Sequence, residues 1–311
     1  MKKFFLKSFL FTAILATAVF YFSSKFERKY HKETDYLAAI IDKENRLNSI
    51  DSNRLILVGG SNLAFGLNCE LIEQKLPVKV ANLGLHAGLS LKFMINEVSS
   101  LIKSGDIVIL NLEYPLYLDG FEPDIDLIQF TQEIYPKSKE YYQFNPLELF
   151  EARYEKFKKY FEEQDFKTDS VFNRKMFNKY GDNIGHLNKP SLQKLIDRQP
   201  IGLLETNNSF SILKDFYELC EAENVKVYIT YPSYPSSEFV GKNKDRILQL
   251  NTKIKENLPQ IKLLNSPDRY VFTDDNFYDT IYHLNAKGRE KRTLLFIEDL
   301  KPVIAKKQLF F

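Results

Sequence analysis

The sequence predicts an α/β domain whose parallel sheet is covered by helices on both faces. Short apolar runs ending in glycine or proline alternate with stretches that carry apolar residues at helical spacing. Two of the runs, "RLILV" within 54–60 and "DIVIL" within 106–114, are continuous, as strands buried on both faces require. Ser61, Gly84, Asn111 and the Tyr231-Pro232 pair fall where such runs end, which is where parallel sheets hold their ligands.

The chain opens with "MKKFFLKSFLFTAILATAVFYFSSKFERKYHK". Three lysines precede an uncharged apolar run from Phe9 to Phe22, which Phe4–Leu6 extend if Lys7 snorkels. Spanning a bilayer takes about 20 mostly apolar residues. The small-x-small triplet Ala16-Thr17-Ala18 fits a signal-peptidase site but lies inside the apolar run, so an uncleaved anchor is the expectation and a cleaved signal the rival. Lys2, Lys3 and Lys7 place the N-terminus in the cytoplasm and the main domain outside it, although Lys25, Arg28, Lys29 and Lys32 reduce the asymmetry. Residues 23–52 read as a polar, helix-prone stem, and the domain division is set at 1–34 for anchor and stem and 35–311 for the domain.

Within the domain, strands are expected at 54–60, 78–85, 106–114, 225–232 and 261–265. Helices are expected at 69–76, 89–105, 209–225, 241–258 and 285–304. The alternation breaks between 115 and 208, a Tyr-, Phe-, Lys- and Glu-rich stretch read as a mostly helical insertion. It includes a helix at 146–164 and a loop at 173–189.

Of the 311 residues, 44% are hydrophobic and 27% charged, enough for a sizeable core. A formal net charge of +2 gives no case for nucleic acid as a partner. The two cysteines, Cys69 and Cys220, lie far apart and form no C-x-x-C pair, so they read as two separate buried thiols, with a single disulfide between them as the alternative. The histidines are scattered without an i, i+4 His partner, so no metal site is expected. G-x-G-x-x-G is absent, so no dinucleotide is expected, and no cofactor is required. G-x-S-x-G fails at Leu63.

A serine nucleophile needs a base, an orienting group for that base, and donors for the oxyanion. Excluding His31 of the stem, the candidate bases are His86, His186 and His283. His283 follows the last strand, precedes the last helix, and has Asp279 four residues before it. One short turn can therefore let the carboxylate hold the imidazole. Here the sequence resembles the SGNH/GDSL hydrolase superfamily. Ser61 after "VGG", Gly84 in "ANLG", Asn111 in "ILNLEY" and Asp279-x-x-x-His283 stand in the order of its four blocks. The resemblance covers 53–114 and 209–300. It implies a flavodoxin-like three-layer α/β/α fold, with Ser61 as nucleophile, His283 as base and Asp279 behind it. The Ser61 and Gly84 N–H groups and the Asn111 side chain would then form the oxyanion hole.

The sequence departs from the family pattern in three places. Gly59-Gly60-Ser61-Asn62 replaces G-D-S, "NLEY" brings Glu113 into competition with Asn111, and Asp279 lies one residue early, with Asp275 an alternative. Loosened blocks of this kind are similar to the membrane-tethered branch linked to acylation of envelope polymers, including alginate-acetylation and teichoic-acid D-alanylation proteins. The implied substrates are acyl esters, acetyl foremost, of an envelope glycan. Partners are the membrane through residues 4–22 and, as a further expectation, a membrane acyl-donor protein. Asn62, His86, Glu113 and His186 are candidate substrate contacts, His86 because it follows Gly84 and His186 because "YGDNIGHLN" suits a lid. Lys287, Arg289, Lys291 and Arg292 read as a solvated helix face. A rival from another class is a catalytically inactive, membrane-tethered glycan-binding or assembly protein of the same fold.

Overall fold

The computed structural model describes residues 1–25, 33–160, 169–196, 198 and 200–308. Helix α1 (Lys2–Lys25) carries the N-terminal apolar run, and its Lys2–Phe22 stretch is long and apolar enough to cross a membrane. Its large side chains are exposed; Phe9, for example, is 71% exposed.

A 3-10 turn at Tyr36–Ala38, capped by the Asp35 carboxylate on the Leu37 N–H, leads into α2 (Ala39–Asn48). Leu37, Ala38, Ala39, Ile40 and Leu47 are buried. Lys43 Nζ donates to the carbonyls of Asn82 and Gly181 at 3.0 and 2.5 Å. Residues 36–47 are therefore core and not part of a solvated stem. The apolar run "YLAAII" at 36–41 is the signal that a stem reading overlooks, because water would not retain it.

The sheet then forms in order. It comprises β1 (Arg54–Val58), α3 (Ser61–Gly66), α4 (Cys69–Lys75), β2 (Lys79–Asn82), α5 (Ser90–Ser99) and β3 (Ile107–Leu110). The insertion contributes α6 (Ile125–Ile134) and α7 (Pro146–Tyr160). There follow α8 (Asn207–Ala222), β4 (Lys226–Ile229), β5 (Tyr234–Pro235), α9 (Gly241–Asn257), β6 (Lys262–Leu263), β7 (Val271–Phe272) and α10 (Ala286–Gln308). Five strands pair in parallel in the order β2-β1-β3-β4-β6. Central β1 and β3 are buried at every position, and edge β2 and β6 are not, which matches the continuous apolar runs of the central strands. The chain winds outward from β1 in one direction and, past β2, in the other. Right-handed crossovers then put α4 on one face and α5, α8 and α9 on the opposite one. The contacts agree: α5 packs on α8, and α10 returns to α4 and α3.

The structure corrects the expected insertion. Its described helices end at Tyr160, and beyond the 3-10 turn at Arg174–Met176 the described residues between 169 and 206 are irregular. Asn, Asp and Gly stabilise turns there through side-chain to backbone bonds, as when Asn178 Oδ1 accepts from the Tyr180 and Asp182 N–H groups. A two-stranded parallel pair, β5 with β7, was not anticipated, because two-residue strands carry no periodicity. Cys69 and Cys220 are buried and unbridged.

Candidate active site

Gly59 and Gly60 carry the chain from β1 to Ser61, the first residue of α3. A Cβ at Gly60 would lie 2.5 and 2.7 Å from the carboxylate oxygens of Glu113, so only glycine fits. Glu113 is 2% exposed and accepts from the Gly60 and Asn62 N–H groups at 3.0 Å each. It thereby clamps the turn that presents Ser61. Ser61 is half-buried, and neither its hydroxyl nor its N–H makes a hydrogen bond among the described residues.

Two of the three expected oxyanion donors are committed elsewhere. The Gly84 N–H donates to Asn82 Oδ1 at 3.0 Å. A Cβ on Gly84 would stand 2.4 Å from that of Leu63, so the glycine serves close approach. Asn111 Nδ2 donates to the Tyr231 and Thr230 carbonyls at 2.8 and 3.3 Å, and its Oδ1 accepts from Arg292 at 2.7 Å. In this structure Asn111 joins the ends of β3 and β4. Asn62, expected to contact substrate, is fully buried. Its amide donates to the Asn111 carbonyl, and its Oδ1 and its carbonyl oxygen both accept from Arg292.

Arg292 corrects the reading of α10 as a solvated face. It is 1% exposed, and burial pulls its pKa down to about 10. Arg289 is also buried, on the Leu67 carbonyl and Asp182, whereas Lys287 and Lys291 are exposed. The spacing of 289 and 292 by three puts both on the inward face of the helix.

The loop between β7 and α10 folds back on itself. The Tyr278 N–H donates to the His283 carbonyl, and Thr280 Oγ1 accepts from the Tyr282 and His283 N–H groups. This brings Asp279 Oδ1 to 2.8 Å from His283 Nδ1, and the same oxygen accepts the Thr280 N–H. A carboxylate only accepts, so the proton lies on Nδ1 and the Nε2 lone pair is left to act as a base. Asp275 instead pairs with Lys287, and Asp274 with Arg198 and Ser237. Asp279 is thus the carboxylate that holds His283.

His283 is 6% exposed and stacks on Phe65, with 4.1 Å between centroids and 10° between planes. Phe65 is four residues after Ser61 on α3, and a helical side chain leans over the turn that precedes it. The stack therefore sets the imidazole over the turn that carries Ser61.

Three further groups complete the surroundings. Tyr36 stacks near Phe172 and Phe177 and donates its hydroxyl to the Leu85 carbonyl. Burial raises its pKa, and the charges of Glu113 and Asp279 add to the shift. Phe172, from the insertion, lies 6.2 Å from His283 by ring centroids. His186 is 1% exposed against Phe65 and Tyr278, and among the described residues neither ring nitrogen makes a hydrogen bond of good geometry, although the Leu284 backbone lies near the ring. Burial, then the charges of Arg289 and His283, push its pKa down to about 4, partly offset by the Leu284 backbone and Asp279. His86 Nδ1 accepts the Gly88 N–H, and its neighbour Ala87 lies against Gly60.

The structure thus gathers Ser61, Gly84, Glu113, His283, Asp279, His86 and His186 at one end of the sheet and turns Asn62 and Asn111 into internal braces. Sequence reasoning missed Tyr36, Phe65, Phe172 and Arg292; an aromatic one turn after a candidate nucleophile was the available signal for Phe65. Among the described residues no three His, Cys, Asp or Glu side chains converge as a metal site would require. Comparison with protein-family models and with curated proteins finds no match to this chain.

Proposed function

We propose that the chain is a serine esterase or O-acyltransferase of the SGNH type, anchored in a membrane with its main domain outside the cytoplasm. It acts on acyl esters, acetyl foremost, of a cell-envelope glycan. The observation that carries the reading is the Asp279–His283 pair at 2.8 Å, stacked on the residue one turn after a serine at the C-terminal end of β1.

Ser61 Oγ attacks the ester carbonyl while His283 Nε2 takes its proton, and Asp279 steadies the resulting imidazolium through Nδ1. The Ser61 N–H, which has no hydrogen-bond partner among the described residues, is the donor left for the developing oxyanion. Collapse expels the alcohol, which takes the proton from His283, and leaves an acyl-enzyme. Water or a sugar hydroxyl then attacks the acyl carbon and gives its proton to His283, and collapse breaks the bond to Ser61 Oγ, which takes that proton back. Exclusion of water by the 115–208 insertion, whose Phe172 lies beside His283, would favour transfer to a sugar.

One observation favours the rival reading of a non-catalytic glycan-binding or assembly protein. Glu113 and Asn82 already occupy the N–H groups of Gly60, Asn62 and Gly84, and a buried carboxylate beneath the turn opposes a second negative charge. Labelling of the full chain with a fluorophosphonate decides between them. Labelling that is lost in Ser61→Ala and in His283→Ala supports the enzyme; folded wild type that never labels supports the binding role.

A further inference from the structure

Helix α7 lies beside the apolar helix α1. Val19 of α1 is buried, the Phe22 and Phe157 rings meet at 6.0 Å, and Arg153 lies over the Phe20 ring at 5.7 Å. From that contact α7 extends an apolar edge. Leu147, Phe150, Tyr154 and Phe157 recur at intervals of three and four, so they line one face of the helix. Phe150 stacks on Tyr154 and Tyr154 on Phe157, making a ribbon of rings that continues into Phe22. Leu147 is 74% exposed, Phe150 49% and Tyr154 44%. A helix of a soluble domain buries such a face. Here the internal packing goes instead to the opposite side of α7, through Ala152.

We propose that this edge of α7 is a second membrane contact, covered by the lipid bilayer that α1 enters. Continuity carries the assignment: the ribbon runs without a break into the helix whose own apolar residues, apart from those packed on α7 such as Val19, are exposed. The chemistry of the edge agrees. Aromatic rings settle at the headgroup level, and Lys158, which lies over the Tyr154 ring at 5.4 Å, suits a side chain reaching from that level toward water. Glu148, Glu151 and Glu155 on the same helix limit its depth to the interface. Nothing in this inference depends on catalysis.

The chain contains no tryptophan, so one introduced tryptophan is a clean reporter. Full-length Tyr154→Trp, with Phe150→Trp as a second probe of the same edge, is reconstituted into phosphatidylcholine vesicles with and without brominated acyl chains. Leu248→Trp, on the exposed side of α9, is the control. The expected result is emission shifted to the blue for both α7 probes and several-fold quenching by brominated lipid, with the control unquenched. Quenching no greater than in the control overturns the proposal. So does a blue shift that brominated lipid leaves intact and that weakens as protein is diluted in lipid, since a second copy then covers the edge. Failure of the chain to float with vesicles overturns it as well.

Discussion

The imidazole of His283 lies flat on the ring of Phe65, 4.1 Å away and tilted by 10°. The contact joins a loop near the C-terminus to the helix that starts at Ser61, and the apolar face holds one side of the base while Asp279 holds its edge. Phe65→Leu keeps the site apolar but removes the flat face, a loss of about 1 kcal/mol beyond the buried area. Fluorophosphonate labelling of Ser61 is expected to slow clearly, and the urea midpoint to fall by an amount corresponding to a loss of about 1 kcal/mol or more, because Phe65 is fully buried.

Asp279→Asn preserves shape but reverses the tautomer of His283, because the amide nitrogen would face Nδ1 or the proton would move to Nε2. Labelling is expected to fall by roughly 10³- to 10⁴-fold with the fold retained, as circular dichroism would report.

Glu113 satisfies two backbone N–H groups from a position without water. Glu113→Gln leaves at most one good acceptor for two donors and turns an amide toward one of them. The expected loss is about 3 kcal/mol in urea unfolding. A stability change within experimental error would mean that the turn before Ser61 stands without the clamp.

Helix α10 offers an internal contrast. Arg292→Met strands the Asn62 and Asn111 acceptors in the interior and is expected to cost about 3 kcal/mol. Lys287→Met, which removes an exposed ion pair with Asp275, is expected to leave the unfolding midpoint unchanged.

His186 sets a pH dependence. Folded, it stays neutral down to about pH 4, whereas the unfolded chain protonates it below its ordinary value near 6.5. The unfolded state therefore binds more protons between those values, and stability falls as pH drops through that window, with a slope approaching about 1.4 kcal/mol per pH unit. Unfolding free energies at pH 7 and pH 5 are expected to differ less in His186→Phe than in wild type.

Much of the fold was legible because central strands in a parallel sheet are apolar on both faces. The runs at 54–58 and 107–110 declare themselves without any knowledge of their neighbours. The Asp279–His283 pair was legible because both residues lie on one short loop, where local geometry brings them together. The roles of Asn111 and Asn62 were not, because a side-chain amide at a strand end serves equally as an oxyanion donor or as a brace. The choice was made by Arg292, 181 residues along the chain from Asn111. Arg289 and Arg292 looked solvated for the same reason: charge in a sequence reads as surface until its buried acceptors are known.

The sequence by itself determined the α/β alternation, the apolar N-terminal helix and the position of Ser61 at the end of a buried strand. These follow from local periodicity and from where glycine interrupts it. Only the tertiary structure decided that Tyr36 and the helix after it belong to the core. It alone decided that Glu113 and Asn82 take up the backbone donors around Ser61, and that Phe65 carries His283. Each of these depends on which distant groups meet in a space without water, where every donor must find an acceptor.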